Sequence, residues 1–146
     1  EWSLVMVGDG DKYQECEEII AKKKLKRVNM VGYQMSIPYI DRASILCITS
    51  VIEGLPTVFT EAMNLGVVPV GFDSFRAIYD MIDDGKNGFI IRDNDYKAYA
   101  RTLIQLATND TLRHQIASNA KQQKGNYDIE HIGPLWVKAF RKHGIV

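Results

Sequence analysis

Short apolar runs alternate with segments of helical spacing from the start of the chain to Ile91. Five runs are rich in β-branched or apolar residues and have the length of strands: Leu4–Val7, Val28–Val31, Ile45–Thr49, Val67–Val70 and Phe89–Ile91. Strands that alternate with helices build βα units, and such units form parallel sheets. The pattern therefore predicts an α/β fold with a parallel sheet.

Helical spacing fills the segments between these runs. The first helix has one apolar face, which we expect to pack on the sheet and which consists of Tyr13, Cys16, Ile19 and Ile20. Another helix covers Thr57 to Asn64 and stops at Gly66, and a further one includes Ile78 to Ile82. From Asp95 onward the pattern is helical only. Helices are therefore expected to close the domain at its C-terminal end.

Length and composition exclude several classes of protein. A chain of 146 residues can bury one core, so we expect a single domain over residues 1–146. Apolar residues make up 46% of the chain and charged residues 25%, which is the balance of an ordinary globular protein. The formal net charge of zero argues against a nucleic-acid partner. No apolar run approaches the roughly 20 residues that span a bilayer.

The two cysteines do not indicate a metal site. Cys16 and Cys47 lie in apolar patterns and lack the close spacing with histidine that zinc requires. Cysteines of this kind fit a reducing compartment, so we expect a cytoplasmic protein. The basic segment Lys22 to Arg27 fits a solvated helix end and leaves peripheral contact with the inner face of a membrane open.

The turn Gly8-Asp9-Gly10 follows the first strand, where dinucleotide-binding proteins have a glycine fingerprint. The third glycine of that fingerprint would fall at Tyr13, and the expected acidic residue about 20 positions further on is missing. The pattern therefore argues against NAD or FAD. A glycine turn at the carboxyl edge of a parallel sheet still lies where ligands bind, so both a tight turn and a ligand contact stay open.

The segment from Ser50 to Gly66 lies between two apolar strands and contains two carboxylates. Glu53 falls in the turn that leaves a strand, and Gly54 lets the backbone approach a ligand closely. Pro56 suits the first position of a helix, whose free amides attract phosphate. We therefore expect an anion site at this turn.

Glu61 comes four residues after Thr57, one turn deeper on the same helical face. Its carboxylate could accept hydrogen bonds from a diol such as ribose, and Glu53 could meet the hydroxyl groups of a sugar. The alternative is that both glutamates are solvated surface acids.

The same segment resembles a family signature. Two glutamates with seven residues between them stand in Glu53-Gly54-Leu55-Pro56 and Glu61-Ala62-Met63, followed by Gly66-Val67-Val68-Pro69-Val70. This pattern looks like the signature of the family 4 retaining glycosyltransferases, the glycosyl transferases group 1. Further segments are similar to successive landmarks of that family's C-terminal domain: Leu4–Gly10, Met30–Gly32, Tyr39–Ser50 and Asp84–Phe89.

This resemblance implies a Rossmann-like three-layer domain, the C-terminal half of a GT-B fold. In that architecture the C-terminal domain binds the nucleotide-sugar donor and an N-terminal domain binds the acceptor sugar or glycolipid. The chain would then lack the acceptor domain and the first βα unit, and alone it would bind donor without turnover. The implied enzyme is a hexosyltransferase that acts with retention in polysaccharide or glycolipid biosynthesis, with no cofactor and no metal.

The resemblance also implies roles for individual residues. Glu61 resembles the residue that binds the nucleotide ribose, and Glu53 the catalytic candidate near the donor sugar. The implied backbone contacts to the donor come from Gly54, Leu55, Thr57 and Val58. The other donor-binding candidates lie in two turns, and they are Gly8, Gly10, Gly32 and Tyr33. The turn with Tyr33 lies beside the nucleobase in relatives, where an aromatic ring can stack.

Two departures from the family pattern leave the sugar undefined. The basic residues that neutralise the donor diphosphate would lie upstream of the first strand, and Phe72-Asp73-Ser74-Phe75 stands where relatives often carry paired glycines. One alternative function is a non-catalytic nucleotide-binding or scaffold module of the same fold. Another is a different GT-B enzyme, such as a nucleotide-sugar epimerase or a glycogen/starch-type synthase.

Overall fold

The computed structural model describes residues 1–122 and 127–145. The strands are β1 Leu4–Met6, β2 Val28–Met30, β3 Ile45–Ile48, β4 Val68–Phe72 and β5 Phe89–Ile91. The helices are α1 Tyr13–Lys22, α2 Ile37–Ile40, α3 Thr57–Leu65, α4 Ile78–Met81, α5 Tyr96–Thr108, α6 Asp110–Gln122 and α7 Ile129–Lys142. The alternation of strands and helices, and the helices that close the chain, confirm the predicted α/β class.

The chain divides into two compact units, Glu1–Arg42 and Ala43–Val146, called unit 1 and unit 2 below. Unit 1 contains β1 and β2, which pair in parallel with Val5 opposite Asn29. Unit 2 contains a second parallel sheet in the order β3-β4-β5, with Cys47 opposite Val70. Parallel pairing is thus confirmed within each unit, while a single domain over residues 1–146 stays a prediction.

β4 lies at the centre of unit 2, because all five of its residues are buried. One face of β4 packs against α5 and α6 in a cluster of Val68, Val70, Phe72, Tyr99, Leu106 and Ile116. On the opposite face, a side chain at Gly71 would meet Phe59 of α3 and Ile78 of α4. Helices on both faces of a parallel sheet form the three-layer arrangement that the family resemblance implies.

The two ends of α3 test the predicted start and stop of this helix. The helix stops at Gly66, whose φ of 75° is the left-handed conformation that glycine adopts readily, as predicted. The last helical residue is Leu65 rather than Asn64. The prediction that Pro56 takes the first helical position was wrong: Pro56 has an extended ψ of 94° and caps the helix.

The turn between α4 and β5 is held by its own side chains. The Asn87 side chain is buried, accepts a 2.7 Å hydrogen bond from the Asp83 amide and donates to the Met81 carbonyl. The Asp84 carboxylate accepts a 2.8 Å hydrogen bond from the Ile90 amide, and Gly85 has a φ of 73°. The family landmark Asp84–Phe89 is therefore explained by turn geometry alone.

Among the described helices, α1 and α7 are the ones without a fully buried residue. α1 buries none of its residues fully, and Ile19 on its predicted sheet-facing side is 43% exposed. α7 also buries none, and its Trp136 ring packs on Phe140 at 5.4 Å between centroids. In the described part of the chain, no helix combines the length and apolar character that a bilayer crossing requires.

Candidate functional site

The loop between β3 and α3 carries Glu53. It leaves the carboxyl end of a parallel strand, the edge where ligands bind in α/β folds. Glu53 is half-buried, and its carboxylate has no hydrogen-bond or ion-pair partner among the described residues. Its neighbours Ile52 and Leu55 are 85% and 49% exposed. The loop thus presents a half-buried carboxylate next to apolar side chains that are largely exposed.

The amides of Thr57 and Val58 lie at the N-terminal end of α3, where the described residues offer them no acceptor. Pro56 has no N–H group, and its side chain makes no capping hydrogen bond. The Phe59 amide donates to the Pro56 carbonyl at 2.9 Å, whereas the amides of Thr57 and Val58 find no acceptor within residues 1–122 and 127–145. Unsatisfied amides at the start of a helix, together with the helix dipole, attract anions. This turn can therefore bind phosphate.

Glu61 lies one turn further along α3. The helix buries Phe59, Ala62 and Met63, while Thr57 is exposed and Glu61 is half-buried. The Thr60 hydroxyl closes the first turn by donating 2.7 Å to the Thr57 carbonyl. One continuous loop-and-helix segment of unit 2 thus contains all of the candidates from that part of the sequence: Glu53, Gly54, Leu55, Thr57, Val58 and Glu61.

The remaining candidates lie in unit 1. The Gly8 amide donates a 2.7 Å hydrogen bond to the Gly32 carbonyl, which joins the turns that follow β1 and β2. Gly8 and Gly32 have φ values of 139° and 69°, which side chains rarely adopt. Tyr33, beside Gly32, is 80% exposed. The structure therefore brings Gly8, Gly32 and Tyr33 together, and Gly10 lies two residues after Gly8 in the same turn.

The loop after β4 contains contacts that the sequence did not reveal. The Tyr79 hydroxyl donates a 2.9 Å hydrogen bond to Asp73 Oδ2, and the Arg76 guanidinium carbon lies 5.6 Å from the centre of the Tyr79 ring. The hydrogen bond to Asp73 is the main cause that raises the pKa of Tyr79 above its ordinary value. Spacing could have suggested only that Arg76 and Tyr79, three residues apart, lie on one side of a helical turn.

Ser74 connects this loop to the loop that carries Glu53. Its hydroxyl donates a short hydrogen bond to the carbonyl of Ser50, two residues beyond the end of β3. The following residue, Phe75, is buried and its ring lies 6.3 Å from the ring of Phe59 on α3. The segment that replaces the glycines expected from the family pattern is thus fixed to both the Glu53 loop and α3.

Residues that could hold a metal ion do not cluster in the part of the chain that the structure describes. In the described ranges, 1–122 and 127–145, no three His, Cys, Asp or Glu side chains are arranged to hold one. That the reaction needs no metal and no cofactor stays a prediction.

The chain matches the family model described as Glycosyl transferases group 1 over residues 1–123. It therefore belongs to that family.

Individual proteins resemble the chain over most of its length. The GalNAc-alpha-(1->4)-GalNAc-alpha-(1->3)-diNAcBac-PP-undecaprenol alpha-1,4-N-acetyl-D-galactosaminyltransferase of Campylobacter jejuni is 29% identical over 138 residues, which are 94% of this chain and 38% of that enzyme. The amylovoran biosynthesis glycosyltransferase AmsD of Erwinia amylovora is 31% identical over 137 residues, 92% of this chain and 38% of the relative. The chain thus spans less than half the length of these curated relatives.

A solved structure shows the same fold. TarM of S. aureus, crystallised as a variant with fondaparinux, alpha-GlcNAc-glycerol and UDP, matches with a TM-score of 0.87 and 28% identity over 94% of this chain and 29% of that protein. The predicted Rossmann-like parallel-sheet fold of GT-B glycosyltransferases is confirmed.

Proposed function

We propose that this chain is the C-terminal, donor-binding domain of a hexosyltransferase that moves a sugar from a nucleoside-diphosphate sugar to an acceptor hydroxyl with retention. The observation that carries the proposal is the start of α3, where the amides of Thr57 and Val58 stand between Glu53 and Glu61 and have no acceptor among the described residues. A nucleotide-sugar offers phosphate for the amides and hydroxyl groups for the two carboxylates.

Each part of the donor has a partner in this assignment. The amides of Thr57 and Val58 bind the diphosphate, while the Glu61 carboxylate accepts hydrogen bonds from the ribose. Glu53 lies beside the donor sugar, with Gly54 and Leu55 offering backbone contacts. The candidates of unit 1, Gly8, Gly10, Gly32 and Tyr33, stay predictions, and the resemblance implies that the turn with Gly32 and Tyr33 lies beside the nucleobase.

The names of the relatives support the setting. The Campylobacter relative is named for a substrate linked through PP to undecaprenol, and the Erwinia relative for amylovoran biosynthesis. TarM was solved with UDP. We propose a cytoplasmic role in polysaccharide or glycolipid biosynthesis, with an N-terminal acceptor domain in the same protein and peripheral contact at the inner face of the membrane.

The reaction exchanges one bond at the anomeric carbon for another. The bond from that carbon to the diphosphate oxygen breaks, and its electron pair stays on the leaving nucleoside diphosphate. The acceptor oxygen forms the new glycosidic bond, and its proton passes to the departing phosphate oxygen. Amides at a helix N-terminus stabilise the charge that develops on the leaving group, and no metal or cofactor is assigned a role.

Calorimetric titration of the full-length protein with UDP, GDP, ADP and dTDP tests the proposal. We expect one of them to bind at millimolar concentration or below, and Glu61→Gln to weaken that binding about tenfold, which corresponds to one lost hydrogen-bonded contact of about 1.4 kcal/mol. Glu130→Gln, an exposed position on α7, is the matched control and should leave binding unchanged. If no nucleoside diphosphate binds, the proposed function is wrong.

A further inference from the structure

Arg76 lies at the same edge of the unit 2 sheet as the Glu53 loop. β4 ends at Phe72, and the Asp73 amide still donates 2.7 Å to the Ile91 carbonyl of β5. The hydroxyl of the next residue, Ser74, donates a hydrogen bond to the carbonyl of Ser50 in the loop that leaves β3. Because carboxyl ends of parallel strands share one edge, the loop that carries Arg76 borders the loop that carries Glu53.

The loop around Arg76 is anchored rather than free. Phe75 and Ile78 are buried at 7% and 0% exposure, so the chain on both sides of Arg76 is fixed in the core. Arg76 and Tyr79 are exposed on the outer side of this turn. A guanidinium in this position is therefore presented to solvent from a fixed backbone.

Asp73 and Tyr79 orient the guanidinium without neutralising it. The Tyr79 hydroxyl donates to the Asp73 carboxylate, and the Tyr79 ring lies under Arg76 at 5.6 Å, within the range of a cation–π contact. In the described part of the chain, Arg76 makes no ion pair. Its N–H donors thus have no carboxylate partner there. The carboxylate of Asp73, three residues earlier in the chain, accepts the hydrogen bond from Tyr79 instead.

An acidic cavity lies near the loop that carries Arg76, but Arg76 does not line it. A cavity of about 500 Å³ is lined by four aspartates together with Tyr79 and Arg92, the aspartates being Asp73, Asp80, Asp83 and Asp84. Arg76 is not among its lining residues. The exposed guanidinium of Arg76 therefore does not line that cavity.

We propose that Arg76 binds the diphosphate of the donor, and that Asp73 and Tyr79 are positioning residues that hold its guanidinium for this contact. A planar guanidinium can give two parallel hydrogen bonds to phosphate, which makes arginine well suited to this recognition. Arg76 would add a full positive charge to the amides of Thr57 and Val58 as the leaving group gains charge. This inference rests on the proposed function and adds a cation from within this chain.

The test uses the full-length protein and whichever of UDP, GDP, ADP and dTDP binds to it. We expect Arg76→Ala to weaken binding of the diphosphate about tenfold or more, and binding of the matching monophosphate by a smaller factor. Arg76→Lys should restore part of the loss, because lysine keeps the charge but not the bidentate geometry. Tyr79→Phe should give a smaller loss than Arg76→Ala, since it removes only the hydrogen bond to Asp73.

Arg101→Ala, an exposed arginine on α5, is the matched control for the loss of one positive charge. Equal losses for Arg76→Ala and Arg101→Ala would overturn the inference, because they would reflect net charge only. Titration with inorganic pyrophosphate separates the two possible sources of phosphate. If Arg76→Ala weakens pyrophosphate binding but not nucleoside diphosphate binding, the phosphate that Arg76 recognises is not the donor's, and the assignment fails.

The outcomes also separate this inference from the proposed function. When the wild-type protein binds no nucleoside diphosphate, the proposed function itself fails. When the wild type binds and Arg76→Ala binds equally well, only the role of Arg76 is wrong. A thermal unfolding curve for each variant shows whether the fold is retained, and Arg76→Lys gives the answer if the alanine variant unfolds.

Discussion

The hydroxyl of Tyr99 donates a 2.8 Å hydrogen bond to the carbonyl oxygen of Val70. This bond ties α5 to the central strand of unit 2, and the Tyr99 ring packs on Phe72 at 4.8 Å between centroids. Tyr99 is only 7% exposed, and burial raises the pKa of its phenol above the ordinary value, with the neighbouring Cys47 as the next cause.

This burial predicts a loss of stability in alkali. The unfolded chain ionises Tyr99 near pH 10, while the folded chain keeps it protonated, so the unfolded state binds fewer protons above that pH. The free energy of unfolding should be insensitive to Tyr99 below pH 10 and fall above it, by at most about 1.4 kcal/mol per pH unit. Tyr99→Phe should flatten this decline, as urea titrations between pH 7 and 11 would show.

Ser74→Ala is the control for this experiment, because it removes a hydrogen bond without removing a titratable group. The free energy of unfolding of Ser74→Ala should differ from that of the wild-type protein by the same amount at every pH. A Tyr99→Phe curve that runs parallel to the wild-type curve above pH 10 would contradict the prediction.

Replacement by alanine should affect stability differently at two glycines, Gly88 and Gly54. A Cβ at Gly88 would lie 2.8 Å from the Pro69 carbonyl oxygen, and backbone cannot move aside cheaply. Gly88→Ala should therefore cost about 1–3 kcal/mol of stability. At Gly54 a Cβ meets no atom within 4 Å, so Gly54→Ala should leave stability unchanged but weaken donor binding where the ligand approaches the backbone.

Urea unfolding and calorimetric titration of the same two variants measure both effects. Equal stability of the two variants would contradict the packing argument at Gly88. Unchanged donor affinity in Gly54→Ala would remove Gly54 from the donor site.

Substitutions of Glu53 and Glu61 should change different kinetic constants of the full-length enzyme. Glu53→Gln keeps the shape of the side chain but removes its charge beside the reacting sugar, so kcat should fall on the order of 10²-fold with little change in the donor KM. Glu61→Gln should mainly raise the donor KM, because ribose is bound equally before and during the reaction. Initial rates over a range of donor concentrations measure both constants, and the opposite pattern would exchange the two roles.

The sequence predicted what depends on local pattern. The strand positions agreed with the structure to within about two residues, and the stop of α3 at Gly66 followed from the left-handed conformation of glycine. Contacts between residues that are distant in the sequence could not be predicted. Tyr99 and Val70, for example, are 29 residues apart and meet only in the folded state. The strand pattern also did not say which strands pair, so the split into β1-β2 and β3-β4-β5 emerged only from the structure.

The same limit applies to the candidate site. Glu53, Thr57 and Glu61 lie within nine residues of one another, so the sequence alone placed them close together, and helix spacing related Glu61 to Thr57. The contact of Arg76 with Tyr79, and of Tyr79 with Asp73, depends on how the loop after β4 folds back on itself. From the sequence, Phe72-Asp73-Ser74-Phe75 showed only a change of bulk and polarity.

The start of α5 offers a test of capping. Asp95 precedes the helix, and its carboxylate accepts a 2.8 Å hydrogen bond from the Ala98 amide. Asp95→Ala leaves that amide without its partner and should cost about 1 kcal/mol, whereas Asp95→Asn should keep most of the stability because asparagine caps as well as aspartate. Asp93→Ala is the matched control, since among the described residues the exposed Asp93 carboxylate accepts a hydrogen bond only from the neighbouring Asn94 side chain. Urea denaturation gives the three free energies of unfolding, and a loss at Asp93 as large as that at Asp95 would show that the cap does not account for the effect.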